Sequence, residues 1–135
     1  GGSRGAYGTE VPLEPGLTGH VELTVTDDDT AIAARSGDVP VLATPRIVAL
    51  CEEAAIAAID DHIPKRETSV GMRVQLDHVA PVAVGDTVTA DAKVDKVEGH
   101  RVVFSVSVND DRGLVAAGKV LRVIVDRDRF KERCS

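Results

Sequence analysis

The chain of 135 residues is 43% hydrophobic and 28% charged, which is typical of one soluble globular domain. Aromatic residues make up only 2% and the formal net charge is −6, so binding of single-stranded nucleic acid, which needs aromatic platforms and a positive groove, is not expected. No apolar run of 18 residues and no secretion signal is visible, so we expect a cytoplasmic protein that does not enter the membrane.

One folded domain is expected between two short flanking segments. Residues 1–17 begin with GGSRGAYG and contain several prolines and glycines, so we interpret them as a leader that is partly a cloning remnant or disordered. The periodic patterns lie within residues 18–130, and residues 131–135 form a charged tail. Cys51 and Cys134 do not form a disulfide framework, and the four histidines lack ligand spacing, so no metal site is expected.

The first half of the chain predicts a strand, a loop and one long helix. Residues 19–26 alternate apolar and polar side chains as a half-buried strand does, and the acidic segment 27–40 predicts a loop with a short helical turn. Thr44 suits the N-cap of a helix and Pro45 suits its first position, and the residues 60–64 end the helix. An apolar stripe at helical spacing contains Ile47, Leu50, Cys51, Ala54, Ala55 and Ala58.

Four further strands are predicted at residues 68–79, 87–97, 101–108 and 114–125, with turns between them. One helix followed by hairpin-connected strands predicts an α+β fold, in which a curved antiparallel sheet of about five strands wraps one long central helix. This order is the layout of the hotdog fold. One helix covers only one face of such a sheet, so we expect a homodimer to cover the exposed edge or face.

Helix phase and strand parity each select one polar residue as a site candidate. On a helical wheel Glu52 lies at the edge of the apolar arc, whereas Glu53 lies on the polar side. In the following strand, His78 has the parity of the apolar positions, so it should face the helix while Asp77 faces away. Those apolar positions are Val70, Met72, Val74 and Leu76.

With Thr44 at the helix start, a hydroxyl, a carboxylate and an imidazole would converge on one site, and the helix N-terminus would add amide donors for an oxyanion. Each residue also has a structural explanation. Thr44 can serve only as an N-cap, Glu52 as a rim carboxylate paired with an arginine, and His78 as a structural histidine. Cys51 on the apolar face is interpreted as a packing residue and not as a nucleophile.

Several segments together resemble the fluoroacetyl-CoA thioesterase-like family of hotdog-fold acyl-CoA thioesterases. The resemblance covers about residues 18–130 and rests on ATPRIVALCEEAAIAAI, SVGMRVQLDHVAPVAVGDTVT, the hairpin VEGHRVVFSVSVND and the last strand with Arg122. It implies that Thr44, Glu52 and His78, which match the family's spacing of eight and 34 positions, form the catalytic set. It further implies that Gly71 and Arg122 bind substrate and that coenzyme A, as part of the substrate and not as a cofactor, binds across the dimer interface.

The sequence departs from the specialised fluoroacetyl-CoA enzymes in one segment. The specialised enzyme resembles a lidded site with phenylalanines just before the catalytic threonine, whereas residues 34–44 here contain no aromatic side chain. We therefore expect another short or medium acyl-CoA as substrate, with His78 and Glu52 activating water or polarising an intermediate and Thr44 acting as nucleophile or carbonyl donor. An enoyl-CoA hydratase or dehydratase and a non-catalytic acyl-CoA binding module stay open as alternatives, as does assembly into tetramers.

Overall fold

The computed structural model describes residues 12–134, so most of the predicted leader and the last residue of the tail lie outside the described residues. Short 3₁₀ turns occur at Asp27–Asp29 and Asp60–His62. Within the described residues no helix has the length and apolar character needed to cross a membrane. The main elements are β1 (Thr18–Thr24), α1 (Thr44–Ile59), β2 (Glu67–His78), β3 (Thr87–Glu98), β4 (Arg101–Asp110), β5 (Gly113–Asp126) and α2 (Arg127–Glu132).

The five strands form one antiparallel sheet in the order β1-β3-β4-β5-β2, and α1 contacts all five of them. A sheet that touches one helix from every strand must curl around that helix, which confirms the predicted α+β arrangement. The helix lies closest to β1, where Gly19 faces the backbone of Ala54 and Ala58. A side chain at position 19 would overlap the helix backbone, so this close approach requires glycine.

The predicted apolar stripe of α1 forms the centre of the core. All six of its residues are buried, and Phe104 of β4 is the largest side chain packed with them. Cys51 is fully buried within this cluster, and burial, followed by the negative charge of Glu52, raises the pKa of its thiol to about 11. The interpretation of Cys51 as a packing residue is therefore confirmed, because a nucleophile would need a thiolate.

The start of α1 differs by one residue from the prediction. Ala43, not Thr44, is the N-cap, and no side chain caps this end of the helix. The carbonyl of Ala43 accepts hydrogen bonds from the amides of Arg46 and Ile47, while its own amide donates to the carbonyl of Asp29 at 2.9 Å. Because Thr44 is the first helical residue, its hydroxyl is not used for capping and can bond elsewhere.

A β-bulge in β2 overturns part of the predicted face assignment. Gly71 pairs with Arg122 and Arg73 pairs with Leu121, so Met72 is an extra residue without a partner on β5. The bulge reverses the alternation of side chains at this point. Met72 is consequently 57% exposed, and the prediction that it faces the helix is wrong.

The same bulge changes which residues of β2 face α1. Before the bulge, Ser69 and Gly71 face the helix, because Arg122 donates to the Ser69 hydroxyl and the Glu52 carboxylate lies against Gly71. Val70, between them, points to the other side, contrary to the prediction. After the bulge the predicted parity holds, and His78 faces α1 as expected.

Residues Arg127–Glu132 form a short helix, α2, which extends into the segment 131–135 that the sequence predicts as a charged tail. The carboxylate of Asp126 caps α2 by accepting hydrogen bonds from the amides of Asp128 and Arg129. Arg127 then ties α2 to the start of β2, since its Nε donates to the carbonyl of Lys65 at 2.9 Å. The high charge of this segment hides the capping role of Asp126 at the level of sequence.

Candidate active site

A hydrogen bond joins the first residue of α1 to the last residue of β2. The Oγ1 atom of Thr44 lies 2.8 Å from Nδ1 of His78, and Nε2 of the same ring lies 3.0 Å from the carbonyl oxygen of Ala80. A carbonyl oxygen can only accept, so Nε2 carries the ring proton in the neutral imidazole and Nδ1 is the acceptor. The Thr44 hydroxyl therefore donates to His78.

This pair has the geometry of a nucleophile or donor beside a general base. The hydroxyl proton already points at the basic nitrogen, and the Ala80 carbonyl holds the ring in the tautomer that can take that proton. Thr44 is exposed and His78 is half-buried, so a substrate can reach the hydroxyl.

The first turn of α1 offers fewer amide donors than the sequence suggests. The amides of Ala43, Arg46 and Ile47 all donate to backbone carbonyls, and Pro45 has no N–H. In the described part of the chain, this leaves the Thr44 amide as the free donor of the turn. Any oxyanion contact at this end of the helix would thus depend on that one amide.

Glu52 takes part in a second arrangement in the middle of α1. Its Oε2 atom accepts a hydrogen bond from Nη1 of Arg122 at 3.0 Å, and the two side chains are 31% and 6% exposed. Burial lowers the pKa of the Arg122 guanidinium, and the Glu52 charge acts against that shift. Glu53 instead pairs on the surface with Arg46, so helix phase correctly distinguished the two glutamates.

Ser69 and Gly71 complete the surroundings of this ion pair. Arg122 donates from Nε to the Ser69 hydroxyl at 2.8 Å and from Nη2 to the Ser69 carbonyl at 2.9 Å, which holds the guanidinium in one orientation. A side chain at position 71 would overlap the Glu52 carboxylate, so glycine leaves room for it. Ser69 was missed from sequence because the bulge that turns it toward Arg122 has no signal in the alternation of β2.

The two arrangements are well separated within one chain. Glu52 follows Thr44 by eight residues, which is about 12 Å along a helix axis. Gly71 precedes His78 by seven residues of β2, one of them in the bulge, which is about 20 Å of extended strand. Among the described residues no hydrogen bond or ion pair joins Glu52 to Thr44 or His78. The shared site of all three residues therefore stays a prediction.

Asp29 and Arg46 anchor the end of the helix that carries Thr44. The buried Asp29 carboxylate accepts hydrogen bonds from the Thr26 amide and hydroxyl at 2.8 and 2.9 Å and from Arg46 Nε at 3.0 Å. Burial acts to raise the pKa of Asp29, but these bonds outweigh it and the pKa is lowered overall. This pair could not be predicted, because the three consecutive aspartates 27–29 give no sign in the sequence of which one is buried.

We expect Asp29→Asn to lower the free energy of unfolding by about 1–2 kcal/mol at neutral pH, because the amide cannot pair with Arg46 as a charge does. Folding lowers the pKa of the Asp29 carboxyl, so its charge stabilises the folded protein at pH values above the ordinary pKa of 3.8. This stabilisation is lost as the pH falls through the pKa of the folded state. Urea unfolding should therefore show a smaller difference in the free energy of unfolding between the parent and Asp29→Asn at pH 3 than at pH 7.

Asp28→Asn, which alters the exposed neighbour, is the matched control and should leave the free energy of unfolding nearly unchanged at both pH values. A loss from Asp29→Asn that is equally large at pH 7 and pH 3 would show that the Asp29 charge does not stabilise the fold.

A five-stranded antiparallel sheet curled around one long helix is the hotdog fold, and here a hydroxyl–imidazole pair lies at the start of the helix. Residues 25–128 match the model of the family described as fluoroacetyl-CoA-specific thioesterase, FlK. The chain belongs to this family, whose members are thioester hydrolases, which confirms the resemblance and the class of enzyme predicted from the sequence.

Individual relatives agree with this assignment. The fluoroacetyl-CoA thioesterase of Streptantibioticus cattleyicolor is 30% identical over 93 residues, which cover 69% of this chain and 67% of the relative. The crystal structure of a hot-dog-like protein from Thermanaerovibrio acidaminovorans has a TM-score of 0.83 at 32% identity, covering 89% of both chains. A mutant of FlK in complex with fluoroacetate and CoA has a TM-score of 0.82 at 25% identity, covering 87% of this chain and 99% of that one.

Proposed function

We propose that this protein hydrolyses short or medium acyl-CoA thioesters to the free acid and coenzyme A, using Thr44, Glu52 and His78. The observation that carries the proposal is the 2.8 Å hydrogen bond from the Thr44 hydroxyl to Nδ1 of His78, with the ring held by Ala80. Membership of the thioesterase family supports the reaction class. The complex of the FlK mutant with fluoroacetate and CoA supports coenzyme A as the leaving group of the reaction.

The Thr44–His78 pair suits the first half of the reaction. His78 accepts the hydroxyl proton through Nδ1 as Thr44 Oγ1 attacks the thioester carbonyl. In the alternative scheme, the Thr44 hydroxyl keeps its proton and hydrogen-bonds to the carbonyl oxygen, while Nδ1 of His78 takes the proton of the attacking water. Collapse of the tetrahedral intermediate breaks the carbon–sulfur bond, and the protonated His78 returns a proton to the leaving thiolate. The Thr44 amide is the available backbone donor near the developing oxyanion.

The Glu52–Arg122 pair suits the activation or orientation of water at the acyl group. Arg122, which Ser69 holds in place, binds one oxygen of the Glu52 carboxylate, and Gly71 leaves room for this carboxylate. A carboxylate held in this way can position the water that releases the acid. Gly71 and Arg122 thus belong to the acyl-binding part of the proposed site.

A homodimer would bring the two arrangements together. β2 is an edge strand of the described sheet. Two apolar residues, Met72 within β2 and Val79 directly after it, are more than half exposed. Antiparallel pairing of two β2 strands, centred near Val74, would place His78 of one chain opposite the partner's Gly71. Each active site would then combine Thr44 and His78 of one subunit with Glu52 and Arg122 of the other.

The acyl group is expected to be something other than fluoroacetyl. Residues 34–44, which lead into Thr44, contain no aromatic side chain, and Val39 within them is 52% exposed. An open approach of this kind suits a short or medium acyl chain more than selection of a single small fluorinated one.

The test is release of free thiol by the purified protein from acyl-CoAs of graded chain length, with fluoroacetyl-CoA included. We expect release from several short or medium acyl-CoAs, with no strong preference for fluoroacetyl-CoA. Conversion of an enoyl-CoA without thiol release would indicate a hydratase instead. Tight binding of acyl-CoA without any turnover would indicate a binding module, and either result would reject the proposed hydrolase.

A further inference from the structure

A positively charged groove lies at the end of the sheet where β2 begins and β5 runs into α2. It has a volume of about 600 Å³. It is lined by Arg66, Arg129 and Arg133 together with Phe130, a residue that is 46% exposed. Three guanidinium groups and an exposed aromatic ring in one groove are unusual in a protein of net charge −6 with 2% aromatic residues.

The side chains of the groove arginines form no ion pair within residues 12–134. None of the ion pairs among the described residues involves Arg66, Arg129 or Arg133. Two carboxylates, of Glu67 and Asp126, also line the groove, and Asp126 accepts the amide hydrogen bonds that cap α2. The three guanidinium charges outnumber these two carboxylates, and guanidinium groups bind phosphates through paired hydrogen bonds.

The groove lies near the Glu52–Arg122 part of the proposed active site, further along the paired strands β2 and β5. Ile124, which lines the groove, is paired across the sheet with Ser69, the residue that holds Arg122. Arg66, the residue just before β2, precedes Gly71 by five residues, or about 17 Å of extended chain. An extended pantetheine arm spans a distance of this order, so a thioester at Gly71 would place the far end of coenzyme A near these arginines.

We propose that this groove binds the phosphorylated adenosine end of the acyl-CoA substrate. The arginines contact the phosphate groups, and the exposed ring of Phe130 stacks on the adenine. This inference rests on the proposed function for its link to catalysis, and it assigns α2 and the start of β2 to substrate binding. A free nucleotide with the same phosphates would bind by the same chemistry.

The kinetic test compares acyl-CoA with the matching acyl-pantetheine, which lacks the nucleotide. The double variant Arg66→Gln/Arg129→Gln should raise KM for acyl-CoA about tenfold, equivalent to about 1.4 kcal/mol, with kcat unchanged. Its kinetics with acyl-pantetheine should equal those of the parent. Lys93→Gln, which removes one charge from an exposed position on β3, should alter neither substrate's kinetics.

A binding measurement keeps this inference separate from the hydrolase proposal. Calorimetry with adenosine 3′,5′-bisphosphate should show binding to the parent and to Lys93→Gln, weakened about tenfold by the double variant and also by Phe130→Ala. Equal nucleotide binding by all proteins, or an equal rise of KM for both thioesters, would overturn the groove assignment. If no thioester is hydrolysed by the parent, the proposed function fails, while loss of nucleotide binding on substitution still supports the groove.

Discussion

Removal of either member of the Thr44–His78 pair is expected to lower kcat for acyl-CoA hydrolysis by about 10²- to 10⁴-fold. His78→Ala leaves the hydroxyl without the acceptor 2.8 Å away, and Thr44→Val keeps the shape of the side chain without its hydroxyl. Thr44→Ser should retain most of the activity, because it keeps an oxygen in the same place. The measurement is thiol release at saturating substrate, with thermal unfolding recorded for each variant.

Thermal unfolding separates catalysis from a structural role of the same residues. Because Ala43 and not Thr44 is the N-cap, loss of the Thr44 hydroxyl should not cost the roughly 1 kcal/mol typical of a lost cap. His20→Ala alters an exposed histidine on β1 and is the matched control, with activity and unfolding expected to equal those of the parent. Full activity of His78→Ala, or an equal loss in His20→Ala, would contradict the role of the pair.

Elements with a strong local pattern could be predicted from sequence. The stripe of α1 is buried as predicted because its spacing depends only on the helical repeat, which no distant residue alters. The same repeat placed Glu52 toward the interior and Glu53 on the surface. Hydrophobic periodicity is therefore sufficient to predict the main helix of the fold and one of the candidate site residues, Glu52.

Features that depend on pairing between distant residues could not be predicted. The bulge at Met72 arises from the register of β2 against β5, and it reversed the face of the strand only upstream, which is why His78 was placed correctly and Ser69 was missed. Thr-Pro fits an N-cap followed by the first helical residue as well as it fits the first two helical residues. The partner that decides the role of Thr44 is His78, 34 residues away.

A mixture of two inactive variants should regain activity if each active site combines residues from two subunits. Thr44→Val and Glu52→Gln are each expected to be nearly inactive as homodimers. After joint unfolding and refolding, half of the dimers would be hybrids, and each hybrid would contain one site with both defects and one site with none. Recovery of about a quarter of the parent activity per total protein is therefore expected.

A second mixture supplies the control for this experiment. Thr44 and His78 are joined in one chain by a hydrogen bond, so Thr44→Val and His78→Ala damage the same half of the site. Their hybrids would carry one defect in each active site and should regain no activity. If Thr44, Glu52 and His78 of one chain instead formed a complete site, every chain in either mixture would carry a defect. Neither mixture would then recover, and the two-subunit site would be rejected.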